Sequence, residues 1–200
     1  MMSTEIYYFS GTGNSLHVAR ELQKRIPKAR LVPIVQLLNQ EVVKTQAETV
    51  GFVFPVYLTT VPAPAHRFLQ NIDVQSSRYI FAAATHGGYP GSGFATIHID
   101  KMLKKKGKRL DSYIYLQMAT NSPTGLVPPS MPGFKKRVAG WVHEINTEKI
   151  AAFETGVQNR LDQFAQIINR REKYPEKGSH YMNYLFESLM DSITQNTRTE

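Results

Sequence analysis

The chain has 200 residues, 42% of them hydrophobic, and a formal charge of +8 from 24 Lys and Arg against 16 Asp and Glu. That length predicts one domain with a sizeable core, and no apolar run is long enough to span a bilayer. The sequence holds no cysteine, which excludes disulfides, thiolate nucleophiles, Zn–Cys sites and Cys-ligated iron–sulfur clusters within these residues.

The opening Met1-Met2-Ser3-Thr4-Glu5 does not read as a signal peptide. Together with the lack of cysteine this gives a cytoplasmic protein as the expectation. Strand and helix signals then alternate. Glu5 to Phe9 reads as the first strand, and Leu16 to Arg25 as a two-faced helix that ends before Pro27. Arg30 to Ile34 is a short second strand and Thr49 to Phe54 a strongly apolar third. Ala63 to Ile72 reads as a helix entered through prolines. Arg78 to Ala84 is the fourth strand, Gly93 to Lys106 a helix, and Asp111 to Met118 the fifth strand. A helix is expected within Phe134 to Ile145, where Trp141 is assigned to core packing. Thr147 to Arg171 is a long helix. Apolar strands separated by helices predict a parallel sheet covered on both faces. Five of them predict a three-layer α/β sandwich, with ligand chemistry at the carboxyl ends of strands one, three and four.

The loop after the first strand is Ser10-Gly11-Thr12-Gly13-Asn14-Ser15. A strand, a loop of small donors and a helix make a phosphate cradle. Backbone N–H groups turn inward, and the helix N-terminus adds partial positive charge. Gly11 and Gly13 permit the tight backbone, while Ser10, Thr12, Ser15 and Asn14 supply side-chain donors. The loop lacks the lysine of a Walker A motif. It also lacks the third glycine of a dinucleotide fingerprint, because Leu16 stands there, and no acidic residue lies between Leu31 and Asn39 to meet a ribose. One terminal phosphate held by neutral groups fits best; a serine-capped polar turn is the plainer reading.

Two further loops are expected beside it: Pro55-Val56-Tyr57-Leu58-Thr59-Thr60-Val61-Pro62 and Thr85-His86-Gly87-Gly88-Tyr89-Pro90-Gly91-Ser92-Gly93. Tyr57 or Tyr89 could stack on a flat ring, and the glycines let backbone N–H groups approach its edge. Taken singly, each tyrosine could equally be a core cap or part of an ordinary turn. The basic run Lys104-Lys105-Lys106-Gly107-Lys108-Arg109 fits a helix end stopped by Gly107 better than a patch for nucleic acid, since few aromatics interleave with it.

With these residues in view the chain resembles a flavodoxin. It is most similar to the flavodoxin-like portion of flavodoxin–ferredoxin fusion proteins, on Tyr8 to Ser15, Phe54 to Tyr57 and Thr85 to Gly91. The resemblance implies a flavodoxin-like sandwich with strand order 2-1-3-4-5, a domain over residues 1–174, and FMN bound without a covalent link. It assigns Ser10, Gly11, Thr12, Gly13, Asn14 and Ser15 to the phosphate. Pro55, Val56 and Tyr57 flank one side of the ring; Thr85, His86, Gly87 and Gly88 flank the other, with Tyr89 and Gly91. His86 would be either a neutral hydrogen-bonder, the preferred reading, or a cation near the ring.

The sequence departs from that pattern in three ways. It has no cysteine for an internal cluster, its charge is basic where flavodoxins are usually acidic, and no glycine occurs from Val56 to Val61. The function implied is electron transfer to a redox partner protein such as a ferredoxin or a reductase, with no nucleic acid and no membrane span. The alternatives are an FMN-dependent NAD(P)H:quinone-type oxidoreductase, with Asn121 and the proline-rich segment from Ala119 to Gly133 shaping a pocket, and a flavin-free interaction protein on the same fold. Residues 175–200 read as a C-terminal helical extension. Its stripe of Tyr181, Tyr184, Leu185, Leu189 and Met190 covers the domain's own core or joins a homodimer. No His-Glu-x-x-His or Gly-x-Ser-x-Gly pattern supports metalloprotease or hydrolase chemistry.

Overall fold

The computed structural model describes residues 3–57, 59–87, 94–119 and 147–174. Among the described residues seven strands form: β1 (Thr4–Tyr8), β2 (Ala29–Pro33), β3 (Val43–Lys44), β4 (Thr49–Pro55), β5 (Ile72–Asp73), β6 (Tyr79–His86) and β7 (Ser112–Gln117). Four α-helices accompany them: α1 (Asn14–Arg25), α2 (Ala63–Asn71), α3 (Phe94–Lys104) and α4 (Thr147–Arg170). Five strands make one parallel sheet in the order β2-β1-β4-β6-β7. Counting only these five, the order is 2-1-3-4-5, as the resemblance implied.

Alternation along the strands divides the core into two layers. On one face Tyr7, Phe52, Phe54, Ile80 and Ala82 pack with Phe68 and Leu69 of α2 and Ile99 and Leu103 of α3. On the other, Ile6, Val53, Phe81 and Ile114 pack with Val18 and Leu22 of α1 and Leu161 and Phe164 of α4. Helices on both faces explain why β4 and β6 read as near-continuous apolar runs.

Several boundaries differ from the sequence reading. α1 begins two residues earlier than expected, so Asn14 and Ser15 belong to its first turn. Strand β4 extends through Pro55 and β6 through His86, because Pro55 pairs with Thr85 and His86 pairs with Gln117. Pro55, Thr85 and His86 are therefore strand residues and not loop residues. Ile72 lies outside α2; it pairs with Val43 in a separate two-stranded parallel sheet that local patterning does not signal. α3 stops at Lys104. Gly107, at φ 70°, closes it: the Gly107 amide donates to the Lys104 carbonyl and the Lys108 amide to the Leu103 carbonyl, a Schellman arrangement. The expected helix around Trp141, Asn121, and the extension from residue 175 lie outside the described residues. Among the described residues no helix is long and apolar enough to cross a membrane.

Gly51 is fixed by packing. It stands opposite Phe81 in the β4–β6 register, and a β-carbon there would collide with the Phe81 ring. That ring is fully buried, edge-on to Phe164 at 6.0 Å, and has nowhere to retreat. Gly51→Ala is expected to lower the unfolding free energy by about 1–3 kcal/mol in chemical denaturation.

Candidate functional site

At the carboxyl ends of β1, β4 and β6 the Ser10–Ser15 loop lies beside Pro55–Tyr57 and Thr85–Gly87. Gly13 sits at φ 105°, a left-handed conformation natural to glycine, with open space where a β-carbon would stand. Its amide donates to Ser10 Oγ at 3.0 Å, which closes the loop on itself. α1 then starts with no side-chain cap and no acidic residue in its first turn. The first-turn N–H donors have no intrahelical acceptors, as at any helix start, and α1 brings no carboxylate of its own to the positive end of its dipole; Glu154 of α4 reaches the first turn through His17, with Oε1 2.9 Å from Nε2. Gly11, Thr12 and Gly13 are exposed, Ser10 and Asn14 half-buried. This donor set suits a dianionic phosphate.

Not every predicted donor is equally placed. Ser15 is 1% exposed, and its Oγ lies 2.8 Å from Oγ1 of Thr85, itself 2% exposed. This pair ties the first turn of α1 to the end of β6, beneath the loop. The Asn14 side-chain amide donates to the Ala119 carbonyl at 3.1 Å, joining the loop to the exit from β7. Thr12 is thus the exposed side-chain donor, beside the first-turn backbone N–H groups, while Ser10 closes the loop and Ser15 and Asn14 brace it.

Pro55 ends β4 and Val56 leaves it, its amide donating to the Thr85 carbonyl at 2.8 Å. Tyr57 follows, 44% exposed. A β-carbon on Gly11 would collide with the Tyr57 hydroxyl, so Tyr57 reaches the Ser10–Ser15 loop directly. Tyr57 and Thr60 exchange two backbone hydrogen bonds, each 3.0 Å, closing a tight turn. Within it Thr59 adopts φ 73°. A β-branched residue there is an outlier that costs about 1–3 kcal/mol and persists only where its surroundings impose it.

Behind Tyr57 lies an open cleft of about 440 Å³, walled by Tyr57, Val61 and Pro62 with Thr60, His66 and His98 at its polar side. Thr60 Oγ1 lies 2.7 Å from His98 Nδ1, and the His66 and His98 rings meet edge to face at 5.2 Å. The sequence reading did not single out Thr60, His66 or His98 for the site. The two histidines belong to different helices, and only the fold juxtaposes them.

His86 is half-buried at the end of β6, its ring edge-on to Tyr115 at 6.3 Å. Burial, and secondarily the Arg160 guanidinium, hold its pKa below the ordinary 6.5. This favours the neutral form over the cationic one. Gly87 follows β6, while Gly88, Tyr89 and Gly91 lie outside the described residues. Among the described residues no group of three or more His, Asp or Glu could hold a metal ion.

No family model matches the sequence, and no curated protein matches it significantly. Solved structures do share its fold. Rubredoxin oxygen:oxidoreductase from Desulfovibrio gigas superposes on 84% of the chain with a TM-score of 0.52 at 16% identity. The chain spans about a third of that protein's length, 35%. Smu.1420 from Streptococcus mutans superposes on 84% of the chain over its own full length, with a TM-score of 0.54 at 12% identity. An FMN-dependent NADH-azoreductase from Bacillus anthracis, solved in complex with FMN, does so with a TM-score of 0.53 at 10% identity, again over 84% of this chain and all of its own. At such identities the likeness is one of fold: a flavodoxin-like parallel α/β sandwich.

Two measurements check the local geometry. Thr85→Val leaves the buried Ser15 hydroxyl without its partner, and the expected cost is about 1–3 kcal/mol in denaturant unfolding. For His86, the folded-state pKa lies below the unfolded value. The unfolded chain therefore takes up the proton first, and stability present above pH 6.5 is lost as pH falls below it. His86→Gln is expected to flatten that part of the stability–pH curve.

Proposed function

We propose that this chain binds FMN at the carboxyl edge of its sheet and works as an electron-transfer flavoprotein. The observation that carries the reading is the junction of a helix N-terminus that has no side-chain cap and no acidic residue in its first turn with the tyrosine of the neighbouring loop. One end of the site suits a phosphate and the other a flat ring. Ser10, Thr12 and the first-turn N–H groups of α1 would hold the phosphate; Ser15 and Asn14 would keep that loop in shape; Tyr57 would flank the ring. When bound, the flavin supplies reversible electron and hydride chemistry, and the protein sets binding, access and electrostatics. A neutral His86 adds hydrogen-bonding capacity without adding a positive charge.

The loop sequences favour kinship with the flavodoxin-like part of flavodoxin–ferredoxin fusion proteins. With no cysteine, no iron–sulfur cluster ligated by Cys can form within these residues, so electrons would pass to a separate redox partner. A second reading, an FMN-dependent oxidoreductase using NAD(P)H, draws on the open cleft beside Tyr57 and on the azoreductase among the structures of the same fold.

Titration of the full chain with FMN and with riboflavin tests the phosphate anchor. FMN is expected to bind at one equivalent with its fluorescence altered. Each charge-assisted hydrogen bond is worth about 1.5–3 kcal/mol, so riboflavin should bind at least about tenfold more weakly. A hundredfold excess of FMN over its Kd adds about 2.7 kcal/mol of stability and should raise Tm by about 5–10 °C. Equal affinity for the two flavins removes the phosphate assignment. No binding and no change in Tm removes the flavin altogether and favours an interaction protein. Anaerobic reduction of the bound flavin by NADH or NADPH alone selects the oxidoreductase; reduction only through a redox protein selects the carrier.

A further inference from the structure

We infer that the hydrogen bond between Thr60 and His98 holds the turn that presents Tyr57 to the phosphate loop, which makes Thr60 and His98 positioning residues for the site. The functional consequence rests on the FMN reading; the mechanical claim concerns only the chain's own residues.

The turn needs outside restraint. Its two backbone hydrogen bonds join Tyr57 to Thr60, yet Thr59 between them sits at φ 73°, a conformation a β-branched residue does not choose on its own. No glycine occurs from Val56 to Val61 to relax it. The entrance is fixed by the Val56 amide on the Thr85 carbonyl. The exit is fixed by burial of Val61, 4% exposed, and by Pro62, whose carbonyl accepts from the His66 amide as α2 begins. Between these anchors a side chain of the turn itself is gripped: Thr60 Oγ1 meets His98 Nδ1 of α3 at 2.7 Å. His98 is in turn set by the edge of the His66 ring. α3 packs into the same core layer as α2 and β4 through Ile99 and Leu103, so the restraint comes from a rigid element. Tyr57 is three residues from Thr60 and shares both backbone bonds with it, so releasing the turn releases the tyrosine from its place over Gly11.

Amide hydrogen exchange on the full chain reads the turn without any flavin. Thr60→Val keeps the shape and removes the hydroxyl; Thr60→Ser keeps the hydroxyl. His98→Leu removes the ring nitrogen, and His98→Asn offers a side-chain amide near the position of Nδ1. T60V and H98L are expected to lower the protection of the Tyr57 and Thr60 amides about tenfold, with T60S and H98N within about twofold of wild type. The T60V/H98L pair should fall no further than either single change. FMN affinity should drop in T60V and return in T60S, while the ratio of FMN to riboflavin affinity stays constant because the phosphate anchor is untouched. If T60V fails to fold, H98L carries the same measurement. Unchanged protection in T60V and H98L, or loss in T60S equal to that in T60V, overturns the inference. Absence of flavin binding in the wild type, with the exchange pattern as expected, overturns the FMN reading and leaves the clamp standing.

Discussion

Burial of the central strands on both faces is the constraint from which the rest of the structure follows. Every residue of β4 before Pro55, and of β6 before His86, is buried. Their interiors leave no place for unsatisfied polar chemistry. In these two strands polar side chains stand only at the ends, Thr49 and Tyr79 on the amino side and Thr85 and His86 on the carboxyl side. Parallel strands end together, so the loops leaving β1, β4 and β6 meet at one edge. The Ser10–Ser15 loop, Tyr57 and the Thr85–Gly87 end of β6 lie together because the apolar segments before them cannot be anywhere else.

Local signals made most of this legible in the sequence. The five main strands and the four described helices follow from apolar runs and from glycine and proline punctuation; the strand order comes only with the resemblance carried by the loops, beginning with the donor-rich one from Ser10 to Ser15. What local reading missed is long-range. Ser15 bonds to Thr85 across 70 positions and Thr60 to His98 across 38; both pairings exist only once the register is set. The strand ends were misplaced for the same reason. Pro55 looks like a breaker and Thr85-His86 like the start of a loop, but pairing with each other and with β7 carries both strands further. The two-stranded sheet of β3 and β5 is too short to have a period at all.

The basic run offers a parallel case. The Lys106 ammonium donates to the carbonyls of Gln70 and Ile72 at 2.7 and 2.8 Å, at the end of α2. Burial there lowers its pKa. Lys108 donates to the Ser77 carbonyl at 2.8 Å. Two cations of the run therefore serve as caps that stitch the exit of α3 to the segments before β5 and β6. This supports the reading of the run as a helix end, since part of its charge is engaged on backbone carbonyls and not displayed.

The contact between Tyr57 and Gly11 means that the two ends of the proposed site are not independent. A phosphate loop built on neutral donors holds its ligand by geometry more than by charge, so small displacements of its backbone matter. Here the loop is bounded on one side by the Ser15–Thr85 brace and on the other by a tyrosine hydroxyl that a β-carbon on Gly11 would have to displace. That tyrosine stands on a turn whose backbone is strained at Thr59 and gripped from α3. Strain of this kind survives where the surrounding structure over-determines it. Tyr57 is placed by the domain core, and through it the core also shapes the Ser10–Ser15 loop, which the proposal assigns to the phosphate.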